Sequence, residues 1–94
     1  MKDETFQTLH PNTEKTNKKI SLSKYIFIRE NILDILIYNE LTHIELMKEL
    51  YVRAKDIFVG NVQWYGETVK LDLEARKLIE RTKSKPEKYK ISIS

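Results

Sequence analysis

Two histidines, His10 and His43, are the side chains of this sequence best suited to acid–base or metal chemistry near neutral pH. His10 lies in a polar N-terminal segment, and His43 is expected at the solvent-facing first position of a helix. No third group is spaced to complete a catalytic triad or a metal site with either histidine. The chain has no cysteine, which excludes a disulfide framework, a thiolate zinc site and a cysteine nucleophile. We therefore expect no catalysis, no metal and no cofactor, and the sequence indicates no small-molecule substrate.

The positive charge of the chain is concentrated toward its C-terminal end. The net charge is +3, and residues 81–90 carry Glu87 as their only acid. A local basic patch attracts polyanions, and four of its members are candidate phosphate contacts: Arg81, Lys83, Lys85 and Lys88. A lysine-rich hairpin that is merely solvated is an equally good interpretation. The patch could support weak, salt-sensitive binding to DNA but could not specify a base sequence.

The residues on the outward face of the third predicted helix, residues 62–76, indicate whether this helix could recognise DNA bases. A helical wheel places six residues on or just beyond this face: Gln63, Gly66, Glu67, Lys70, Glu74 and Lys77. Helices that read the major groove carry donors on this face, so Gln63 and Lys70 are the candidate contacts. The two acids alternate with lysines at helical spacings, however, and such pairs neutralise the surface. The face is typical of an ordinary solvated helix.

Large apolar side chains at surface positions indicate a different function, binding to another protein. Trp64 and Leu71 share a helix face beside the outward arc, and Phe27 falls on the polar side of the first helix. Tryptophan is more often a core residue than an interface anchor, yet Trp64 and Phe27 are the best anchor candidates in the chain.

The first helix, predicted over residues 23–39, has an apolar arc that is wide for a surface helix. This width favours a homodimer, because a three-helix core of this size should not need so much of the helix circumference. Arg29 falls inside the arc. We expect it to pair with Asp72, since an unpaired buried charge is costly.

The remaining elements follow from caps and hydrophobic periodicity. Ser21 or Ser23 can cap the first helix, and Thr42 with Glu45 has the spacing of a capping box that opens the second. The second helix carries an apolar stripe of Ile44, Met47, Tyr51, Ala54 and Phe58, widened by Leu46, Leu50 and Ile57.

Two strands are predicted behind the third helix, over residues 78–82 and 89–93, with Tyr89, Ile91 and Ile93 pointing inward. Residues 1–20 are polar and are expected to form a largely flexible tail, which leaves residues 21–94 as one domain. Three helices followed by a β-hairpin wing is the order of an α+β winged helix-turn-helix domain.

Several short motifs carry a family resemblance: Leu9-His10-Pro11, Tyr25, Trp64-Tyr65 and the VKLDLEAR segment at residues 69–76. Through them the chain resembles a small uncharacterised bacterial family of stand-alone winged helix-turn-helix domains. The resemblance implies the fold and no established activity. Lys77 stands where winged helix domains generally have glycine, so a left-handed helix cap would fall there on a residue with a side chain.

Two functions stay open on this sequence. The nominal one is a DNA-associated, regulator-like protein with weak phosphate contacts, and the alternative is a protein-interaction or dimerisation module that does not bind DNA. No apolar run approaches the ~18 residues of a membrane span. Together with the absence of a signal peptide and of cysteines, this predicts a cytoplasmic protein with no membrane partner.

Overall fold

The structure is a computed structural model that describes residues 4–92. Within them lie three α-helices and two pairs of antiparallel strands. The helices are α1 (Leu22–Tyr38), α2 (His43–Ala54) and α3 (Val62–Ala75). The strands are β1 (Thr5–Gln7) paired with β2 (Lys19–Ser21), and β3 (Ile79–Arg81) paired with β4 (Tyr89–Ile91).

Each helix begins at a side chain that accepts a hydrogen bond from its first turn. The Ser21 hydroxyl accepts from the Lys24 amide, which confirms one of the two predicted caps of α1. Thr42 and Glu45 form the predicted capping box at the start of α2. At α3 the Asn61 side chain accepts from an amide one turn later. These caps satisfy helix donors that would otherwise lack partners.

The core lies between the three helices and the β3–β4 pair, with α1 at its centre. Its fully or almost fully buried side chains come from every helix and from both C-terminal strands: Tyr25, Ile28, Ile32, Ile35, Leu36, Leu46, Met47, Leu50, Ala54, Val62, Val69, Leu73, Ile79 and Tyr89. Helices α2 and α3 approach closely at Gly66, where a Cβ atom would lie 2.8 Å from Leu50 Cδ2. Gly66 is therefore buried, and its predicted place on the outward face of α3 is wrong.

The N-terminal segment forms a β-hairpin, which differs from the flexible tail expected over residues 1–20. Phe6 of β1 stacks on Tyr25 of α1 with ring centroids 4.2 Å apart, and Ile20 of β2 is buried in the core. Beyond β1, Thr8 is buried and the Leu9 amide donates to Asp72. The segment is ordered because these apolar and polar contacts tie it to α1 and α3. Residues 1–3 of the expected tail lie outside the described residues.

This hairpin covers part of the wide apolar arc of α1 from within the same chain. Phe6 and Ile20 join the core beside α1, and only Ile26 and Ile37 of the arc are left largely exposed. The argument for a homodimer rested on an uncovered arc, and most of that arc is covered.

The expected ion pair between Arg29 and Asp72 is absent among the described residues. Arg29 instead pairs with Glu30 at 3.2 Å and lies over the Tyr25 ring. The Arg29 side chain is 31% exposed, so its charge reaches solvent. Burial of its charge, which was the reason to expect Asp72 as partner, does not occur.

The β3–β4 hairpin aligns Ile79 with Ile91 and Arg81 with Tyr89. Leu41, between α1 and α2, adds an antiparallel bridge to Tyr89 and ties the hairpin to the helices. Both strands are shorter than predicted, and Ile93 lies outside the described residues. The order of the elements is compatible with a winged helix.

The link from α3 to β3 has the geometry that the sequence indicates. Lys77 adopts a left-handed conformation with φ 65°, and its amide donates to the Glu74 carbonyl. In the part of the chain that the structure describes, no helix has the length and apolar character needed to cross a membrane.

Candidate functional site

The outward side of α3 presents a small surface of mixed aromatic, aliphatic and acidic character. We define it as the α3 surface, formed by Gln63, Trp64, Glu67 and Leu71. The first three are exposed and Leu71 is half-buried. The Trp64 side chain is 43% exposed, and its ring meets Tyr65 edge-on with centroids 4.9 Å apart. A large aromatic side chain is therefore held in place while much of it faces solvent.

Lys70 does not belong to this surface, although the sequence placed it on the outward arc of α3. It is 5% exposed, and its Nζ donates a hydrogen bond of 2.9 Å to the Tyr89 hydroxyl. Its ammonium also lies 4.1 Å from the centroid of the Tyr89 ring. Burial, and secondly the charge of Arg81, lower the pKa of Lys70. The prediction that Lys70 could contact DNA is wrong, because its side chain packs beneath the β3–β4 hairpin.

Glu74 also turns toward the hairpin. Its Oε2 accepts a hydrogen bond of 2.8 Å from Arg81 Nε, and Arg81 makes a second, longer contact of 3.4 Å with Glu87. The hydrogen bond that Arg81 donates to Glu74 is the main cause that raises the pKa of Arg81. The predicted alternation of Glu74 with Lys70 and Lys77 is therefore wrong, since the partner comes from β3. What α3 shows to solvent is one carboxylate, Glu67, with no cation.

His43, at the start of α2, lines one cavity together with Trp64 and Glu67 of the α3 surface. It is half-buried, although the sequence predicted it to be exposed. Its Nδ1 is shielded from solvent and has no hydrogen-bond partner within residues 4–92. Burial, followed by the nearby charge of Lys70, lowers the pKa of His43, and Glu67 opposes this shift. These surroundings favour the neutral form of the His43 ring. No group of three or more His, Cys, Asp or Glu side chains in the described residues is arranged to hold a metal.

A groove between α2 and α3 extends the α3 surface. A cavity of about 290 Å³ is lined by residues of both helices, among them Ile44, Met47, Trp64 and Glu67. A second cavity of about 560 Å³ shares Asn61 and Gln63 with the first: its lining also includes Tyr51, Phe58 and Val62. Ile44 and Tyr51 are 77% and 53% exposed. The exposed apolar surface thus continues from α3 onto α2.

Sequence reasoning missed the part of this groove that α2 supplies. The predicted stripe of α2 placed Ile44 and Tyr51 inward, whereas the structure buries Leu46 and Leu50 and turns those two residues outward. Both sets of residues are apolar at helical spacing, so periodicity alone could not choose between the two faces. Taken together, the two sets cover more of the α2 circumference than one core can bury. This was the available signal that one apolar side of α2 is exposed.

Phe27, the second predicted anchor, is not an exposed one. It is half-buried and stacks on Phe58 with centroids 5.5 Å apart, and Phe58 in turn meets Tyr65 edge-on. Phe27 closes one end of the core because the turn after α2 folds Phe58 back over α1. Of the predicted anchor residues, Trp64 and Leu71 remain on a surface.

The β3–β4 hairpin holds the four predicted phosphate contacts in two different states. Lys83 and Lys85 are exposed in the connecting loop, and neither forms an ion pair with any residue between 4 and 92. Arg81 is held by Glu74 and Glu87, and Lys88 is half-buried. Two free ammonium groups therefore remain on the hairpin, at its tip.

No curated protein and no solved structure matches the chain. Residues 5–89 match the sequence model of a family of unknown function, and this match includes all three helices and the first residue of β4. Since the match spans most of its 94 residues, the chain belongs to the family of unknown function DUF6958.

Proposed function

We propose that the chain is a winged helix domain that binds another protein through the α3 surface and the adjoining α2–α3 groove. The observation that carries this proposal is that no cationic side chain lies on the outward side of α3, all of which falls within residues 4–92. Trp64 and Leu71 lie there beside Glu67. The order of the elements and the bridge of Leu41 to Tyr89 support the winged helix assignment. The role proposed is one of binding, without catalysis.

A protein partner suits this surface better than a nucleic acid. Most contacts to DNA are made by donors that reach phosphates and base edges. On the α3 surface two side chains can donate, the Gln63 amide and the Trp64 indole N–H. Neither carries a positive charge, and Glu67 would be repelled by the phosphates. A half-exposed tryptophan is, in contrast, one of the residues in which interface hot spots are enriched.

The chemistry of the surface also defines the partner. Trp64, Leu71 and Ile44 offer apolar area, and Glu67 offers one negative charge at its edge. We propose a protein segment that inserts apolar side chains between α2 and α3 and places a basic side chain beside Glu67. Such a rim charge contributes more to specificity than to affinity.

Selection of random displayed peptides on the intact protein tests the proposal. The selected peptides should combine apolar and basic residues. The Trp64→Ala variant should weaken their binding at least ~30-fold, the loss typical of a hot-spot residue. The Glu67→Lys variant should weaken binding less and abolish the preference for basic residues.

The matched control is Ile37→Ala, because Ile37 is 61% exposed on α1, outside the proposed surface. This variant should bind the selected peptides like the wild type. Peptides that bind the Trp64→Ala variant with unchanged affinity, or selection that yields no binder, would count against the proposed function.

A second candidate function, weak binding of DNA phosphates through the β3–β4 hairpin, is favoured by Lys83 and Lys85. Both ammonium groups are exposed and free of ion pairs within the described part of the chain. Each phosphate contact contributes about 0.9 to the slope of log affinity against log salt. Replacing both lysines with alanine should flatten that slope by up to about 2, whereas Lys70→Ala should leave it unchanged.

A further inference from the structure

A third cavity lies between the loop of the N-terminal hairpin and the end of α3. Its volume of about 690 Å³ falls within the range of small-molecule sites in proteins. The lining comes from residues 7–17 of the hairpin and from Ala75 and Lys77. The α3 surface and the α2–α3 groove contribute no residue to it, so it is a separate feature of the fold.

No acidic side chain lines this cavity. Lys15, Lys77 and His10 all line it. Neither lysine makes an ion pair or a side-chain hydrogen bond with any residue from 4 to 92. Glu14, the one acid among residues 8–17, is not part of the lining. Two lysines that form no ion pair within residues 4–92 therefore line one cavity.

Neutral donors and an apolar wall complete the lining. The hydroxyls of Thr13 and Thr16 make no hydrogen bond within the described residues, so they can donate to a ligand. Leu9 and Pro11 supply apolar surface, and Leu9 is 43% exposed. A ligand with an anionic group and an apolar body would match both parts.

The hairpin loop is fixed in this shape by its own side chains. Asn17 Nδ2 donates to the Leu9 carbonyl at 2.8 Å and to the Thr68 carbonyl of α3 at 3.0 Å. His10 Nδ1 accepts from the Asn12 amide at 2.9 Å, which leaves Nε2 as the free ring nitrogen. The loop is thereby tied across the cavity to α3, and a ligand would not have to order it.

Lys77 ends α3 in a left-handed cap, in which its amide donates to the Glu74 carbonyl and the Leu78 amide donates to the Leu73 carbonyl. With φ 65° it occupies the left-handed region, which glycine adopts without strain and lysine does not. The residue at this cap is a lysine, and it lines the cavity.

We propose that this cavity binds a small organic phosphate monoester. Lys15 and Lys77 would hold the phosphate, Thr13 and Thr16 would donate hydrogen bonds to its oxygens, and Leu9 and Pro11 would contact the organic group. A phosphate suits this donor set because it offers three acceptor oxygens to charged and neutral donors together. The site does not depend on the proposed function of the α3 surface.

Titration of the intact, isotope-labelled protein with phenyl phosphate tests the site, with the amide signals followed by NMR. The amides of Thr13, Lys15, Thr16 and Lys77 should shift together. Benzyl alcohol, which keeps the ring and lacks the anion, should produce no saturable shift. Absence of a saturable shift with phenyl phosphate at ~10 mM, or equal binding of benzyl alcohol, would overturn the proposal.

The decisive variant is Lys77→Gly, which removes the ammonium group and relieves the left-handed strain at once. It should weaken phenyl phosphate binding roughly tenfold, the worth of one charge-assisted hydrogen bond. Its urea midpoint should be unchanged or higher, so loss of binding cannot be assigned to unfolding. Lys15→Ala should weaken binding similarly, and Lys48→Ala, on α2, should not. Unchanged binding in both Lys77→Gly and Lys15→Ala would refute the assignment.

Discussion

The hydroxyl of Tyr25 in α1 donates a hydrogen bond to Oδ2 of Asp72 in α3, and both side chains are buried. The same carboxylate accepts from the Leu9 amide at 2.8 Å and from Arg76 Nε at 3.0 and 2.9 Å. Asp72 therefore joins two helices to the N-terminal hairpin. The charge is compensated by Arg76, one helical turn away, so the carboxylate can remain in the interior.

The first prediction concerns this buried carboxylate. Asp72→Ala should lower the free energy of unfolding by about 3 to 5 kcal/mol, because it leaves Arg76 and two further donors without their partner. Tyr25→Phe removes one donor and should cost about 1 to 3 kcal/mol. Urea denaturation measures both. If the effects of Tyr25→Phe and Asp72→Asn in the double variant were simply additive, the bond between the two residues would contribute nothing.

The second prediction follows from the pKa of Tyr25. Burial, and secondly the hydrogen bond to Asp72, raise the pKa of Tyr25 to about 12 from its ordinary value of 10.0. The folded protein therefore holds this proton where the unfolded chain has lost it. The resulting stabilisation, about 2 to 3 kcal/mol, is fully present below pH 10 and is lost as the pH rises from 10 to 12.

Denaturation curves at a series of alkaline pH values check this. Between pH 10 and 12 the Tyr25→Phe variant should lose less stability than the wild type. It should still show the loss that comes from Tyr89, whose pKa is also raised by burial. An identical pH dependence in wild type and variant would contradict the assignment to Tyr25.

The third prediction concerns Lys70, whose ammonium is buried beneath the hairpin. Its lowered pKa means that burial disfavours the charged form, and this destabilisation is present at neutral pH and relieved as the pH rises through the folded pKa. Lys70→Met keeps most of the volume without the charge and should raise the free energy of unfolding by ~1 kcal/mol. Lys48→Met, at an exposed position, should change it by less than ~0.5 kcal/mol. A loss of stability in Lys70→Met would show that the bond to Tyr89 outweighs the cost of burial.

The fourth prediction concerns the close approach of α2 and α3 at Gly66. A methyl group there would lie 2.8 Å from both Leu50 Cδ2 and Met47 Sδ. Gly66→Ala should therefore lower the free energy of unfolding by about 1 to 3 kcal/mol, although alanine is the better helix former. The loss should shrink in a Met47→Ala background, where part of the obstruction is removed. A stabilising effect of Gly66→Ala in the wild-type background would show that α2 moves away at little cost.

The helices and their caps could be predicted from the sequence because the relevant interactions are local. Ser21, Thr42 and Glu45 act within one turn of the helix that they cap. The left-handed conformation of Lys77 was expected from the glycine that winged helix domains generally have at this position. The hairpin of residues 5–21 could not be predicted in this way. Its order comes from contacts with Tyr25 and Asp72, which are distant along the chain.

The candidate surface was only partly predictable for the same reason. A helical wheel places Trp64 and Leu71 correctly but treats everything opposite the core as solvent. The β3–β4 hairpin covers one side of α3, so Lys70 and Glu74 turn toward Tyr89 and Arg81. Removing these two residues from the outward side converts an apparently neutral helix face into an apolar and acidic one.

The fifth prediction tests the central claim, that the α3 surface binds protein and does not read DNA. Titration of the labelled protein with generic duplex DNA at ~50 mM salt, followed by amide NMR, is the most direct measurement. The amides of Gln63, Trp64, Glu67 and Leu71 should not shift, and any weak, salt-sensitive shifts should be confined to the β3–β4 hairpin around Lys83 and Lys85. Saturable shifts on α3 that persist at ~150 mM salt and are lost in Gln63→Ala would contradict the account.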